Sequence, residues 1–357
     1  MKKELVIGKL HIPIPVFQGG MGVGVSLSRL AGSVAAAGGV GVISAAQIGF
    51  REKDYFKDPL KCNLKALSEE IQKAKDIAHG GVVGVNIMVV TQNYDEYVKT
   101  AVNAGADIVI SGAGLPMTLP KLAEGGNCAL IPIVSSKNAA SVIIKYWKKK
   151  YDRYPDALIV EGPKAGGHLG FKREQLDTIY ACGDKERRFD VEIQSIIDYL
   201  HELEEQEQIS IPLIVAGGVF EGKDLAHYKQ MGAAGVQLGS RFVTTVECDA
   251  DQAYKQAYLD AKEEDIVIVD SPVGLPGRAI MNEFLKRVKL GEKFMRGCKQ
   301  CITTCIPKES PYCIAEALIQ AVKGNVKEGL LFCGSNTYRL NKMESVREIM
   351  EEFALWQ

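Results

Sequence analysis

The chain has 357 residues, of which 46% are hydrophobic and 24% are charged, and its formal net charge is −1. This composition supports a large buried core and excludes a globally disordered chain. The 43 basic and 44 acidic side chains are spread along the sequence, which argues against nucleic acid or an anionic membrane as a partner, because both require concentrated positive charge.

Eight short apolar runs without apolar/polar alternation follow one another along the first two thirds of the chain. Runs of this kind are typical of strands that are buried on both faces of a parallel sheet. In chain order we predict strands at residues 14–18, 40–44, 82–86, 107–111, 131–135, 157–161, 212–216 and 235–238.

Helical patterns lie between most of these strands, because apolar residues recur there at spacings of three and four. We predict helices at residues 26–37, 94–104, 138–150, 190–207 and 224–231. Repeated strand–helix alternation predicts an α/β fold, the closed (β/α)8 TIM barrel. An open doubly wound sheet is the competing fold, but its roughly five or six strands would leave some of the runs unplaced.

Two segments exceed a minimal barrel. Residues 46–75 form a long connection after the second strand, which we interpret as a lid. Residues 246–357 form a C-terminal extension beyond the predicted barrel at residues 1–245. No internal repeat or low-complexity linker marks a second domain, so we expect the extension to pack on the barrel.

Glycine follows both the seventh and the eighth predicted strand, in the two loops that commonly build a phosphate site in TIM barrels. Gly217 and Gly218 stand in the first loop, and Gly239 and Ser240 in the second. Backbone N–H groups at such turns can converge on a phosphate, since no Cβ obstructs them. One such pair alone is more often a tight turn, but two pairs in these loops favour a phosphate site.

A histidine follows the sixth strand in the sequence EGPKAGGHLG. Glu161 ends the strand, Gly166 and Gly167 let the backbone approach a flat ligand, and His168 follows in the same loop. Imidazole accepts or donates a proton near neutral pH, so His168 is the candidate catalytic residue. The other four histidines lie in the N-terminal segment or on polar helical stretches, and we assign them no role.

Three further strand ends are expected at the same rim of the barrel. Gly20, Met21 and Gly22 follow the first strand, and Asn86 ends the third strand with an amide that both donates and accepts hydrogen bonds. Small residues at 111–114 follow the fourth strand. Each signal is weak alone, but together they predict a flavin site with room for a substrate.

In chain order the motifs are PVFQGGMG, GVNIM, ISGAGLP, EGPKAGGHLG, IVAGGV and QLGSRF. This ordered set resembles the nitronate monooxygenase (2-nitropropane dioxygenase) family, which includes the FMN-dependent enoyl-acyl-carrier-protein reductases of type II. The resemblance runs from residue 10 to residue 290. It implies an FMN-containing TIM barrel with His168 as the catalytic residue. The residues that it implies as contacts to FMN are Gly20, Met21, Gly22, Asn86, Glu161, Gly166, Gly167, Gly217, Gly218, Gly239 and Ser240.

The resemblance implies one of two reactions. A nitronate monooxygenase oxidises alkyl nitronates with O2 through a flavin semiquinone, and His168 would act as a base or orient the nitronate. An enoyl reductase would use NAD(P)H to reduce FMN and then an enoyl thioester, with His168 binding or polarising the acyl group. We predict the first reaction, with the enoyl reductase as the alternative, and a small molecule or an acyl thioester as the substrate.

Two other function classes stay open at this point, because a fold does not determine a function. One is a non-catalytic flavin- or phosphate-binding barrel, against which His168 in its glycine-rich loop argues. The other is a barrel enzyme that binds a phosphosugar at the same turns without any flavin.

The sequence CKQCITTCIPKESPYC contains four cysteines within residues 298–313 of the extension: Cys298, Cys301, Cys305 and Cys313. Four thiols this close could hold an iron–sulfur cluster or a structural zinc ion. The spacing matches no standard motif, and a set of reduced cysteines in a tail packed near the flavin is the alternative interpretation.

The remaining features concern location and assembly. The nine cysteines are an odd number, and their mostly scattered placement is typical of a reducing compartment. No apolar run of membrane-spanning length and no signal-peptide pattern is present in the sequence. We therefore expect a cytoplasmic protein, and the sequence is compatible with a homo-oligomer.

Overall fold

The computed structural model describes residues 4–176, 187–295 and 297–357. The strands of this part of the chain are β1 (Leu5–Ile7), β2 (Leu10–Ile12), β3 (Val16–Gln18), β4 (Val40–Ser44), β5 (Val82–Met88), β6 (Ile108–Gly112), β7 (Ala129–Val134), β8 (Leu158–Glu161), β9 (Gly167–His168), β10 (Leu213–Ala216), β11 (Gly235–Leu238), β12 (Ile266–Asp270) and β13 (Pro276–Ile280).

Eight of these strands close into a parallel barrel, in the order β3-β4-β5-β6-β7-β8-β10-β11. Strand β11 pairs with β3 through Val236 and Val16, which closes the ring. The predicted TIM barrel is therefore confirmed, and the open doubly wound sheet is excluded. Each predicted strand lies within two residues of an observed barrel strand at both ends.

The predicted helices are also present, with ends shifted by up to a few residues. The helices of the described chain are α1 (Ser28–Ala36), α2 (Pro59–Ala78), α3 (Tyr94–Asn103), α4 (Leu119–Leu122), α5 (Lys137–Tyr151), α6 (Arg187–Glu207), α7 (Gly222–Met231), α8 (Ser240–Val243), α9 (Gln252–Leu259), α10 (Glu283–Lys289), α11 (Ile314–Val322) and α12 (Val346–Ala354). Short 3-10 turns occur at Glu263–Asp265 and Thr337–Arg339.

Strand β4 shows why the barrel strands read as continuous apolar runs. Val40 and Val42 belong to the cluster that fills the barrel interior, whereas Ile43 packs in the outer cluster with the helices. Successive side chains of a strand point to opposite faces. Both faces of this strand are therefore apolar, because helices cover its outer face and side chains fill the interior.

The lid interpretation of residues 46–75 is wrong. Most of this segment forms α2, which begins at Pro59 after the side chain of Asp58 accepts a hydrogen bond from the backbone N–H of Lys61 at 3.1 Å. Leu67 and Ile71 of this helix are fully buried in the outer core cluster. The many charged residues of the segment lie on the other face and hide the apolar stripe in the sequence.

Additional elements close the two ends of the barrel. At the amino end, the antiparallel β1–β2 hairpin adds Leu5, Ile7 and Ile12 to the cluster that fills the barrel interior. At the carboxyl end, β12, β13 and β9 form a small antiparallel sheet. This sheet joins residues of the C-terminal extension to the loop that follows β8.

The C-terminal extension packs on the barrel through an apolar cluster and a buried ion pair. Met350 and Phe353 of α12 lie in one buried cluster with Phe242 of the barrel. The guanidinium of Arg241 donates two hydrogen bonds of 3.0 Å to the carboxylate of Glu344 and is nearly inaccessible to solvent. The extension and the barrel therefore share one core.

Candidate active site

A cavity of about 720 Å³ opens at the carboxyl ends of the barrel strands. Its volume falls within the range of about 300–1,000 Å³ that is typical of small-molecule sites. All eight strands contribute residues at or just beyond their carboxyl ends: Gly19, Ser44, Met88, Gly112, Val134, Glu161, Ala216 and Leu238. TIM-barrel enzymes place their active sites at this end of the barrel, so this cavity is the candidate active site.

The residues predicted from the sequence as catalytic or flavin-binding all line this one cavity. They are Gly20, Met21, Gly22, Asn86, Glu161, Gly166, Gly167, His168, Gly217, Gly218, Gly239 and Ser240. Barrel closure brings these separate segments together, because the carboxyl ends of all parallel strands meet at one rim. What each residue does there stays a prediction.

Two of these glycines are required by close packing of the cavity wall. Gly217 has a φ of 93°, and a Cβ atom at this position would lie 2.8 Å from the carbonyl oxygen of Gly162. A Cβ atom at Gly20 would lie 2.4 Å from the Cβ of Asn86. Both distances are shorter than van der Waals contact. Packing within the protein therefore requires glycine at both positions.

His168 is held by its strand, by a serine and by an aromatic ring. It lies in β9 and pairs with Gly277 of β13, and its Nε2 atom is 2.8 Å from the hydroxyl oxygen of Ser271. That oxygen also accepts a 3.4 Å hydrogen bond from the backbone N–H of Val273, and its second lone pair or its proton is directed to Nε2, according to the tautomer of the ring. The ring of Phe332 stands edge-on to the imidazole at 4.9 Å.

Burial lowers the pKa of His168 from 6.5 to about 4, because the charged imidazolium loses hydration in the cavity wall. The ring is therefore neutral at physiological pH, so one of its two nitrogens is unprotonated. We expect histidine NMR of flavin-free protein to show one ring that stays neutral down to about pH 5. The His168→Ala variant should lack this signal. A midpoint near pH 6.5 for His168 would contradict the burial argument.

Glu161 and Arg278 form a second polar group in the wall. Burial raises the pKa of Glu161 to about 7, and the nearby cation of Arg278 opposes this shift. Arg278 is buried and donates a hydrogen bond to the backbone carbonyl of Ala165. The cavity therefore contains a carboxyl group that can be either neutral or ionised near pH 7.

Several residues of the cavity lining were not predicted from the sequence. Lys164, Tyr254, Tyr258 and the C-terminal segment 332–336 also line the cavity. The segment follows the pattern of the other strand ends, since the sequence LLFCGSN ends an apolar run with a glycine and polar residues. This signal lies far beyond the eight predicted strands, so nothing in the sequence connected it with the rim.

The four clustered cysteines lie outside the cavity lining. Cys298 is exposed, Cys301 and Cys305 are half-buried, and Cys313 is buried. Among the residues that the structure describes, no group of three or more histidine, cysteine, aspartate or glutamate side chains is arranged to hold a metal ion. The segment docks on the loop after β5, where the carbonyl of Cys301 accepts a 3.0 Å hydrogen bond from Gln92.

Burial and the neighbouring thiols raise the pKa of Cys301 to about 12. Burial also raises the pKa of Cys313.

Cys182, one of the scattered cysteines, lies outside the described residues. No helix in the described part of the chain is both long enough and apolar enough to cross a membrane.

The chain is similar in sequence to known enzymes and similar in fold to a solved structure. A probable nitronate monooxygenase from Staphylococcus saprophyticus is 27% identical over 305 residues, covering 79% of this chain and 80% of the relative. A (3aS,4S,5R,7aS)-5-hydroxy-7a-methyl-1-oxo-octahydro-1H-indene-4-carboxyl-CoA dehydrogenase from Mycobacterium tuberculosis is 28% identical over 285 residues, covering 80% and 68%. The structure of FabK from Thermotoga maritima superposes with a TM-score of 0.71 at 24% identity, covering 97% and 93%.

The family model for nitronate monooxygenase matches residues 3–355, which is nearly the whole chain. The closed barrel and the cavity at its carboxyl end agree with this relationship. This chain is an oxidoreductase that belongs to the nitronate monooxygenase family.

Proposed function

We propose that the cavity binds FMN and that the protein is a nitronate monooxygenase, which oxidises alkyl nitronates with O2. One observation carries the proposal: His168 and the glycine turns after β10 and β11 line the same cavity. The family match and the name of the Staphylococcus saprophyticus relative support the choice of a nitronate as substrate.

The residues present fit FMN. The turns at Gly217–Gly218 and Gly239–Ser240 offer backbone N–H groups for the phosphate. The amide of Asn86 offers both a donor and an acceptor, as the polar edge of a flavin ring requires. Gly20 and Gly22 line the cavity with backbone atoms alone, which lets a flat ring system approach them. When bound, FMN supplies the electron transfer between substrate and O2.

The protein side of the mechanism centres on His168. When Nε2–H donates to the Ser271 hydroxyl, the unprotonated Nδ1 can take a proton from the carbon next to the nitro group of a neutral nitroalkane; in the other tautomer, Nδ1–H can donate a hydrogen bond to a nitronate oxygen. Ser271 fixes the orientation of the ring through the hydrogen bond to Nε2. Phe332 shields one side of the ring from water, which keeps the imidazole uncharged.

Anaerobic mixing tests the reaction. Purified protein should show the absorbance of oxidised flavin, and this absorbance should bleach on mixing with an alkyl nitronate. Colourless protein that cannot be reconstituted with FMN would favour the phosphosugar enzyme. Flavin that binds but reacts with neither a nitronate nor NAD(P)H would favour the non-catalytic binding barrel.

The second candidate is an NAD(P)H-dependent reductase of enoyl thioesters. The Mycobacterium tuberculosis relative favours it, because the name of that protein specifies a CoA thioester and the match covers 80% of this chain. In this case NADH or NADPH, and not a nitronate, should bleach the flavin. An enoyl thioester should then restore the absorbance of oxidised flavin under anaerobic conditions.

Metal analysis tests the hypothesis of an iron–sulfur or zinc site at the four clustered cysteines. Because the described residues contain no metal-site arrangement, we expect iron, sulfide and zinc well below one per chain. We also expect exposed Cys298 to be alkylated much faster than Cys301, whose raised pKa leaves little thiolate at neutral pH. Stoichiometric metal, lost on alkylation, would support the cluster instead.

A further inference from the structure

The segment 332–337, here named the tail loop, contacts all three loops that bear predicted site residues after β8, β10 and β11. The backbone N–H of Ser335 donates to the carbonyl of Lys164 at 3.1 Å. The side-chain amide of Asn336 donates to the carbonyl of Gly218 at 2.6 Å. The backbone N–H of Gly334 donates to the hydroxyl of Ser240 at 2.8 Å. The tail loop is therefore built into the cavity wall.

Close packing against a fourth residue supports this placement. A Cβ atom on Gly166 would lie 2.6 Å from the carbonyl carbon of Cys333. Glycine is therefore required at position 166 because the tail loop packs against it, and not because a flat ligand approaches it. The tail loop and the histidine loop fit together only without a side chain at this position.

Two hydroxyl groups in this wall differ in what they contact. The hydroxyl of Ser240 accepts the Gly334 N–H and lies 3.0 Å from the hydroxyl of Thr337. The side chain of Ser240 therefore holds the tail loop. Ser335 lines the cavity, and its hydroxyl is buried within the wall, where it has no hydrogen-bond partner among the described residues. Burying a hydroxyl group without a partner is unfavourable, so rotation of this short side chain about χ1 towards an acceptor atom of a ligand in the cavity would stabilise it.

We infer that the tail loop is the third wall of the FMN phosphate site and that the Ser335 hydroxyl donates a hydrogen bond to a phosphate oxygen. The inference rests on the proposed FMN site. The tail loop is bonded to the two predicted phosphate turns, through Gly218 and Ser240, which places Ser335 beside them. Phosphate oxygens at neutral pH accept strong hydrogen bonds from hydroxyl donors. Lys164, whose side chain packs on Gly218, adds a cation to this part of the wall.

Paired titrations with FMN and riboflavin test the inference, because riboflavin lacks only the phosphate. Quenching of flavin fluorescence by flavin-free full-length protein gives both Kd values. For Ser335→Ala we expect the FMN Kd to rise at least about tenfold, the size typical of a lost hydrogen bond to a charged group. The riboflavin Kd should stay within about twofold. Ser335→Asp should weaken FMN binding further, by charge repulsion, and again spare riboflavin.

Ser310→Ala is the matched control, because Ser310 is a buried serine of the same extension that lies outside the cavity lining. It should change neither Kd. Equal weakening of FMN and riboflavin by Ser335→Ala would overturn the inference, since Ser335 would then shape the cavity and not contact phosphate. Unchanged FMN binding in both Ser335 variants would also overturn it. Wild-type protein that binds neither flavin would overturn the FMN proposal itself.

Discussion

Replacing His168 with alanine is expected to lower turnover by about 10²- to 10⁴-fold, the contribution typical of a general acid or base. The cavity keeps its glycine turns in this variant, so bound FMN should remain. The measurement is kcat with an alkyl nitronate or nitroalkane at fixed O2, together with the flavin content of the purified protein. Loss of turnover with retained flavin would assign His168 to the chemistry and not to cofactor binding.

Two controls accompany this variant. His201→Ala removes an exposed histidine on α6 and should leave turnover unchanged. Ser271→Ala keeps the imidazole but removes its hydrogen-bond partner, so we expect a smaller loss, of about tenfold, from poorer orientation of the ring. Turnover that is unaffected by His168→Ala would remove this residue from the mechanism and weaken the nitronate proposal.

Replacing Gly217 with alanine is expected to abolish FMN binding at micromolar concentrations and to lower the free energy of unfolding. The backbone here has a φ of 93°, which costs an alanine about 1–2 kcal/mol relative to glycine. The added Cβ would also lie 2.8 Å from the carbonyl oxygen and 2.9 Å from the nitrogen of Gly162. These atoms are backbone, so the turn after β10 or the loop after β8 must move, and the phosphate site moves with it.

Gly105→Ala separates the backbone cost of a positive φ from the clash of the added Cβ atom. Gly105 has a similar φ of 80°, but a Cβ atom there would meet no atom within 4 Å. This variant should lose only the backbone contribution to stability and should bind FMN as the wild type does. Flavin fluorescence and thermal unfolding measure both effects. Equal FMN affinity in the Gly217→Ala and wild-type proteins would show that the turn after β10 does not contact the cofactor.

The amino-acid sequence determined the barrel itself. Runs such as Val40–Ser44 are apolar on both strand faces, and this is a local property that can be read without knowing the fold. The positions of Gly217 and Gly239 just after strands, and of His168 between the sixth and seventh barrel strands, could be predicted for the same reason. Once a barrel is assumed, the ends of all its strands must share one rim, so the site residues that follow the barrel strands could be predicted without any long-range information.

Helix α2 shows where local patterns failed. Its apolar residues form a stripe, but the charged residues between them made the segment look like an exposed connection. The helix is stabilised by packing on the outer core, where Leu67 and Ile71 are fully buried, and this packing could not be predicted from the segment alone. Tertiary burial, and not the composition of the segment, decided its structure.

Only the tertiary structure decided what surrounds the predicted site residues. Ser271 reaches His168 from 103 positions away in the sequence, and the tail loop reaches Ser240 from 94 positions away. Contacts of this kind depend on how the C-terminal extension folds back over the rim, and they leave no periodic or local pattern in the sequence. The sequence therefore determined which residues next to the barrel strands meet at the rim, whereas long-range packing added residues of the C-terminal extension and decided which hydroxyl groups and rings hold the site in place.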